Sequence, residues 1–226
     1  MQHISHQFDY DLEHLFANLM HLGGLIESKC SAISHLLADS EDFLEKREER
    51  SNTEISAIAQ FIQFDCERVL ALRQPKASDL RFIKMVMTVS SELLRVNSSA
   101  KKVYKLAKEG HHQKHISLLT PVFLIGQSTL TQTLTAVVRK NTDDLFQLPQ
   151  QEVLLEAACI KLEQLILEMM IEEPQSLPEH IQLLKALHAV NKIGRRCVNI
   201  AESAMYFLTG DRNLIQHRQY ETRLAS

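Results

Sequence analysis

Apolar positions recur at intervals of three and four along most of the chain, the spacing that places them on one face of a helix. In the first segment Phe8, Leu12, Leu15, Leu19, Leu22, Ile26, Cys30, Ile33 and Leu37 keep this step without a break, which predicts one long helix. At 1.5 Å per residue, about thirty residues extend roughly 45 Å, the proportions of a bundle helix. Gly23 and Gly24 lie inside it. Each costs a helix about 1 kcal/mol relative to alanine, so they are expected to serve the close approach of a neighbouring helix, with a kink as the other use. A second helix is expected after the turn at Asp39 to Asp42. Its charged start, Glu41 to Glu54, reads as a solvated face and runs into Ile55, Ile58, Ile62, Cys66 and Val69 before Pro75 stops it. Ala77-Ser78-Asp79 can cap a third helix, which runs to about Lys108 and ends at Gly110.

The polar stretch Glu109 to Lys114 reads as a hinge between halves, and its histidines, His111, His112 and the adjacent His115, read as linker residues rather than metal ligands. Beyond it the pattern predicts helices from about Leu118 to Arg139, Gln151 to Ile171 and Glu179 to Leu208, with Pro149 suited to a helix start and Gly210 to a helix end. In the last of these, Leu183, Leu187, Val190, Gly194, Cys197, Ala201, Ala204 and Leu208 form a narrow seam. The third and sixth helices match at an offset of 97 residues, Leu93-x-Arg95-Val96 over Val190-x-Lys192-Ile193 and Ala100 over Cys197. A period this long suggests a duplicated three-helix unit. The expected division is 5–110, 111–210 and a polar, frayed tail at 211–226.

Composition narrows the class. Six Gly, five Pro and no Trp are too few turn-formers for an all-β chain of 226 residues, while 45% hydrophobic and 23% charged residues argue against disorder. No run approaches the roughly eighteen apolar residues of a membrane span, and Met1 to Ser5 lack a signal-peptide pattern, so a cytoplasmic protein without membrane insertion is expected. The net charge of −3 gives no global field for nucleic acid, and no nucleic-acid partner is expected. Cys30, Cys66, Cys159 and Cys197 lie far apart with no C-x-x-C pair, and read as reduced core residues.

His3-Ile4-Ser5-x-x-Phe8, Leu22-Gly23-Gly24-Leu25, Arg73-Gln74-Pro75-x-Ala77-Ser78-Asp79-Leu80-Arg81 and Asn199-Ile200-Ala201-Glu202 through Gly210 resemble the PhoU family in order and spacing. The resemblance spans roughly residues 3 to 210. It implies an all-α six-helix bundle built from two tandem three-helix PhoU-like repeats, in agreement with the periodicity. It also implies a cytoplasmic, often dimeric regulator of phosphate transport and phosphate-starvation signalling, whose partners are a transporter ATPase subunit and a sensor histidine kinase. The other reading is a divergent PhoU-like scaffold on another transporter or partner, independent of metal.

Many members of that family carry Glu-x-x-x-Asp once per repeat, where carboxylates at i and i+4 share a helix face and suit a multivalent cation. The matching positions are Leu94 and Ser98 in the first repeat and Asn191 and Arg195 in the second, and none is a carboxylate. No metal site is therefore expected. Glu152 and Glu156 remain as an acidic pair expected to be merely solvated, and Lys185, Lys192, Arg195 and Arg196 as a basic strip, solvated or able to receive an anion. Lys101, Lys102, Lys105 and Lys108 read the same way. No Walker loop, Rossmann fingerprint or nucleophile elbow is present, so no catalytic or cofactor-binding residue is assigned and an interaction protein, not an enzyme, is expected, a homodimer among its forms.

Overall fold

The computed structural model describes residues 2–38, 45–108 and 113–215, with side chains from residues 7, 51 and 116 onward in the three segments. Six long helices fill them: α1 (Gln2–Leu37), α2 (Glu45–Arg73), α3 (Ala77–Lys108), α4 (Gln113–Arg139), α5 (Thr142–Glu172) and α6 (Leu177–Thr209), with a 3-10 turn at Pro174–Ser176. No strand occurs among the described residues. Helices α3 and α6 pack against each other at the centre. α1 flanks α3, α4 flanks α6, and α1 and α4 also meet; α2 lies outside on α1 and α3, and α5 outside on α4 and α6. The amphipathic faces merge into one continuous core.

Central position explains why α6 buries more than the predicted seam. Leu183, Leu187, Val190, Gly194, Cys197, Ala201 and Ala204 are buried as expected, while Leu208 is only partly covered. Ala186, Ala189, Ile193, Ile200 and Met205 are buried too, because α6 touches α3, α4 and α5 and needs a wide apolar stripe rather than a two-helix seam. Gly23 meets the expected neighbour: a Cβ there would lie 3.0 Å from Leu134 Cδ2 of α4, whereas Gly24 faces open space.

Several boundaries differ from the pattern. α5 begins at Thr142, nine residues before the expected start, and Pro149 sits buried inside it. The true start is set by Asn141, whose Oδ1 accepts from the N–H groups of Asp143 (3.0 Å) and Asp144 (3.3 Å). Asn141 Nδ2 in turn donates to Asp144 Oδ2 at 2.8 Å, a reciprocal cap reinforced by acids in the first turn. α4 begins at Gln113 and carries Pro121 internally, so the expected hinge narrows from its C-terminal side. Gly110, His111 and His112 and the turn at Asp39 to Asp42 lie outside the described residues. The tail does not leave at once either: Leu214 packs on the core and Ile215 is buried. Gly210, at φ 79°, closes α6 as expected, its N–H donating to the Tyr206 carbonyl.

All four cysteines are buried, and none is joined in a disulfide among the described residues. Burial pushes the thiols of Cys66 and Cys197 up to about 12 and that of Cys159 up to about 11. Since the thiolate is the nucleophile, these three are expected to stay silent toward a disulfide reagent at pH 8 and to react only in denaturant. Rapid native-state labelling of any of them would contradict their burial.

Candidate functional site

The four family-motif positions lie on the two central helices and contribute no ligand set. Leu94 packs partly buried against the core, and the Ser98 hydroxyl donates to the Leu94 carbonyl at 3.0 Å within its own helix. Asn191 is partly buried, and Arg195 is exposed. The Arg195 guanidinium reaches across to α5, with Nε 4.0 Å from Glu152 Oε1 and Nη2 3.9 Å from Glu156 Oε1. The acidic pair expected to stand free in solvent thus faces the cation at the second motif. Gly194 permits this: a Cβ there would fall 2.8 Å from Leu155 Cδ2 and 3.8 Å from Glu152 Cα, so α5 lies close against α6 at this point.

These residues do not fit the metal of the family motif. A multivalent cation needs several anionic or imidazole donors, and here a fixed guanidinium stands against the two carboxylates and repels one. Among the described residues no group of three or more His, Cys, Asp or Glu is placed to hold a metal ion. His115 lies in α4, but its side chain is outside the described residues, as are His111 and His112.

Helix α1 holds a buried cation that sequence reasoning missed. Lys29 is only 4% exposed, and its Nζ donates to Asn52 Oδ1 at 2.6 Å and to Asn97 Oδ1 at 2.7 Å. The signal was present, since Ile26, Lys29 and Ile33 step three and four, as Ile26, Cys30 and Ile33 step four and three.

The basic strip of α6 is partly committed to carboxylates. Arg196 Nη1 lies 3.3 Å from Glu92 Oε2, and Arg95 Nη1 lies 2.8 Å from Glu92 Oε1. The buried Glu92 therefore ties α3 to α6, leaving Lys185 and Lys192 as the exposed remainder of the strip. A second buried carboxylate, Asp11, takes Arg68 Nη2 at 3.2 Å and Arg73 Nε at 3.0 Å, joining the N-terminal half of α1 to the end of α2. Lys101, Lys102, Lys105 and Lys108 are all exposed on α3.

Desolvation, followed by the neighbouring Glu156, raises the Glu152 carboxyl above its ordinary value near 4.5, and Arg195 partly offsets both. A carboxyl whose folded value is raised holds its proton longer in the folded state, so stability declines as pH rises from about 4.5 through the folded value. The difference in urea stability between Glu152→Gln and the native chain is expected to grow in the variant's favour across that window, and Arg195→Ala is expected to make the native decline steeper. A pH-independent difference would mean that Glu152 is not held in this way.

The outer helices supply a different kind of surface. On α5, Val153, Leu154, Ile160, Leu167 and Ile171 are exposed, Ile171 to 80%; on α2, Phe61, Phe64 and Leu72 are exposed. Tyr10 of α1 stacks on His14 at 6.1 Å between ring centroids, and His14 meets the edge of Phe61 at the same distance. Apolar side chains on outward faces of the two peripheral helices are suited to a protein partner.

No family model matches the chain. It is 27% identical over 212 residues to the phosphate-specific transport system accessory protein PhoU of Escherichia coli, covering 92% of this chain and 88% of that protein. It is equally identical, with the same coverage, to the PhoU homolog of Pseudomonas aeruginosa. The crystal structure of PhoU from P. aeruginosa superposes with a TM-score of 0.84 at 25% identity, covering 90% of this chain and all of that one. The chain is similar to PhoU proteins in sequence along 92% of its length and in fold. A PhoU structure from Streptococcus pneumoniae, at 23% identity and a TM-score of 0.80, shares the fold. This chain presents an arginine on α6 against two glutamates of α5, and a buried lysine of α1 between two asparagines of α2 and α3.

Proposed function

We propose that this chain is a regulator of phosphate uptake and phosphate-starvation signalling, acting by binding rather than by catalysis. In this reading it is an adaptor between the ATPase subunit of a phosphate ABC transporter and a sensor histidine kinase, works in the cytoplasm, and forms a homodimer. The observation that carries the reading is similarity along 92% of the chain to proteins named as accessories of a phosphate-specific transport system. The exposed apolar side chains of α2 and α5 support docking as the mode of action. No helix among the described residues is long and apolar enough to cross a membrane.

The reading includes two tandem three-helix repeats, 5–110 and 111–210, followed by a tail at 211–226. Burial supports the duplication: Ile83, Val86, Leu93, Val96 and Ala100 are buried on α3, and so are His180, Leu183, Val190, Ile193 and Cys197, each 97 residues later on α6.

A deletion strain grown in ample phosphate is expected to express alkaline phosphatase constitutively, with the wild-type gene restoring repression. A second reading, a divergent scaffold serving another transporter without metal, is favoured by the Leu94, Ser98, Asn191 and Arg195 substitutions at the family motifs. Unchanged phosphatase in a strain with no other relative would favour it over the first.

A further inference from the structure

Three cations from two distant parts of the chain, Arg81 and Lys84 one turn apart on α3 and Arg212 after α6, converge where α6 ends beside the start of α3. The Lys84 ammonium lies 5.7 Å from the centroid of the Tyr206 ring, and the Arg212 guanidinium carbon lies 5.0 Å from it. Gly210 provides the turn: its left-handed backbone reverses the chain after α6, and a Cβ on it would lie 3.8 Å from Arg81 Cζ. The turn is held by the Asp211 N–H donating to Thr209 Oγ1 at 3.2 Å and the Asn213 N–H donating to Asp211 Oδ1 at 2.9 Å. Leu214 and Ile215, packed on the core, anchor the chain just beyond Arg212.

Elsewhere Arg68, Arg73, Arg95 and Arg196 are each engaged by a buried carboxylate. Arg81, Lys84 and Arg212 make no ion pair with an acid among the described residues, although Asp79 and Asp211 stand close in sequence. Arg81 Nε is buried without a hydrogen-bond acceptor. A buried donor left without a partner forfeits free energy, so this geometry suits an acceptor brought by a ligand. Arg81 also closes the Arg73 to Arg81 string singled out in the sequence. Arg73 is bound to Asp11, so Arg81 is the arginine of that string left without an acid.

We propose that Arg81, Lys84 and Arg212 form a binding site for a phosphoryl group, seated beside the Tyr206 ring at the α6 terminus. Two guanidinium forks and an ammonium match a doubly charged tetrahedral group with several acceptor oxygens better than a single carboxylate. The Tyr206 phenol reports the same convergence: Arg212 at the hydroxyl, and then the charges of Arg212, Lys84 and Arg81, hold it below its ordinary value. The inference goes beyond the regulatory reading and is tested on the purified chain, so either can fail alone.

The test is a titration of the full chain, carrying nitrogen-15 arginine, with inorganic phosphate and separately with phenyl phosphate, following the arginine Nε–H resonances by NMR. Sodium chloride at matched ionic strength is the control. Saturable shifts of Arg81 and Arg212 are expected with at least one phosphate probe. Arg212→Gln and Lys84→Gln are each expected to weaken binding about tenfold, the scale of one lost charged hydrogen bond, with unchanged melting curves. Saturation by inorganic phosphate identifies the free anion as a ligand, and saturation by phenyl phosphate alone identifies a phosphoryl group carried on another molecule; both support the site. Absence of saturable shifts with either probe, equal shifts in chloride, or variants that bind as tightly as the native chain would overturn it.

Discussion

Replacing Phe123 by alanine is expected to lower the unfolding free energy by about 3–5 kcal/mol, as removal of a fully buried aromatic ring ordinarily does. Phe123 has no exposed surface and heads the largest fully buried side chains. It lies on α4, which packs against α1, α5 and α6. Close-packed interiors collapse only partly around a deletion of this size, and the cost is the lost transfer of the ring plus the cavity left behind. Urea unfolding followed by circular dichroism should show a lower midpoint with little change in slope. A loss below about 1 kcal/mol would mean that neighbouring helices close the gap, contrary to a core made rigid by six interlocked faces.

Gly194→Leu is expected to be nearly as damaging, at about 3 kcal/mol, for the opposite reason. The first added carbon already lies 2.8 Å from Leu155 Cδ2 and 3.4 Å from Glu152 Cγ, and the next obstacle is the Glu152 backbone at 3.8 Å. Leu155 is fully buried and has little room to withdraw, so α5 must move away from α6. Leucine gains about 1 kcal/mol of helix propensity over glycine, which offsets only part of the strain. The same melting experiment checks the size of the effect. Loss of the Glu152 response to Arg195 would show that the displacement reaches the ion cluster, and a variant as stable as the native chain would mean that the helices are not in close contact there.

Both predictions concern contacts between helices, which local sequence signals do not specify. The helices themselves were legible because their signals are local: Pro75 after α2, Ala77-Ser78-Asp79 opening α3 and Gly210 closing α6 act within a turn of their own position. The misplacement of the α5 start has the same local origin. Pro149 suits a helix start, but Asn141 with Asp143 and Asp144 is the stronger N-terminal signal, and a proline is tolerated where the helix is otherwise fixed by packing. The candidate site was half legible. That Leu94, Ser98, Asn191 and Arg195 supply no carboxylate needs only the sequence; the engagement of Arg195 with Glu152 and Glu156 does not follow from it.

The sequence by itself determined the helical class, the buried face of each long helix, the resemblance to one family along nearly the whole chain, and the absence of the usual carboxylates at its motif positions. Only the tertiary structure decided which cation meets which acid. It placed Arg196 with Glu92, Arg73 with Asp11 and Lys29 between Asn52 and Asn97, and it brought Arg81, Lys84 and Arg212 around Tyr206. The division has a physical cause. Periodicity reports the environment of one helix about its own axis, whereas a polar partner depends on the rotation and axial offset between two helices far apart in the chain, and these are set by packing of the whole core.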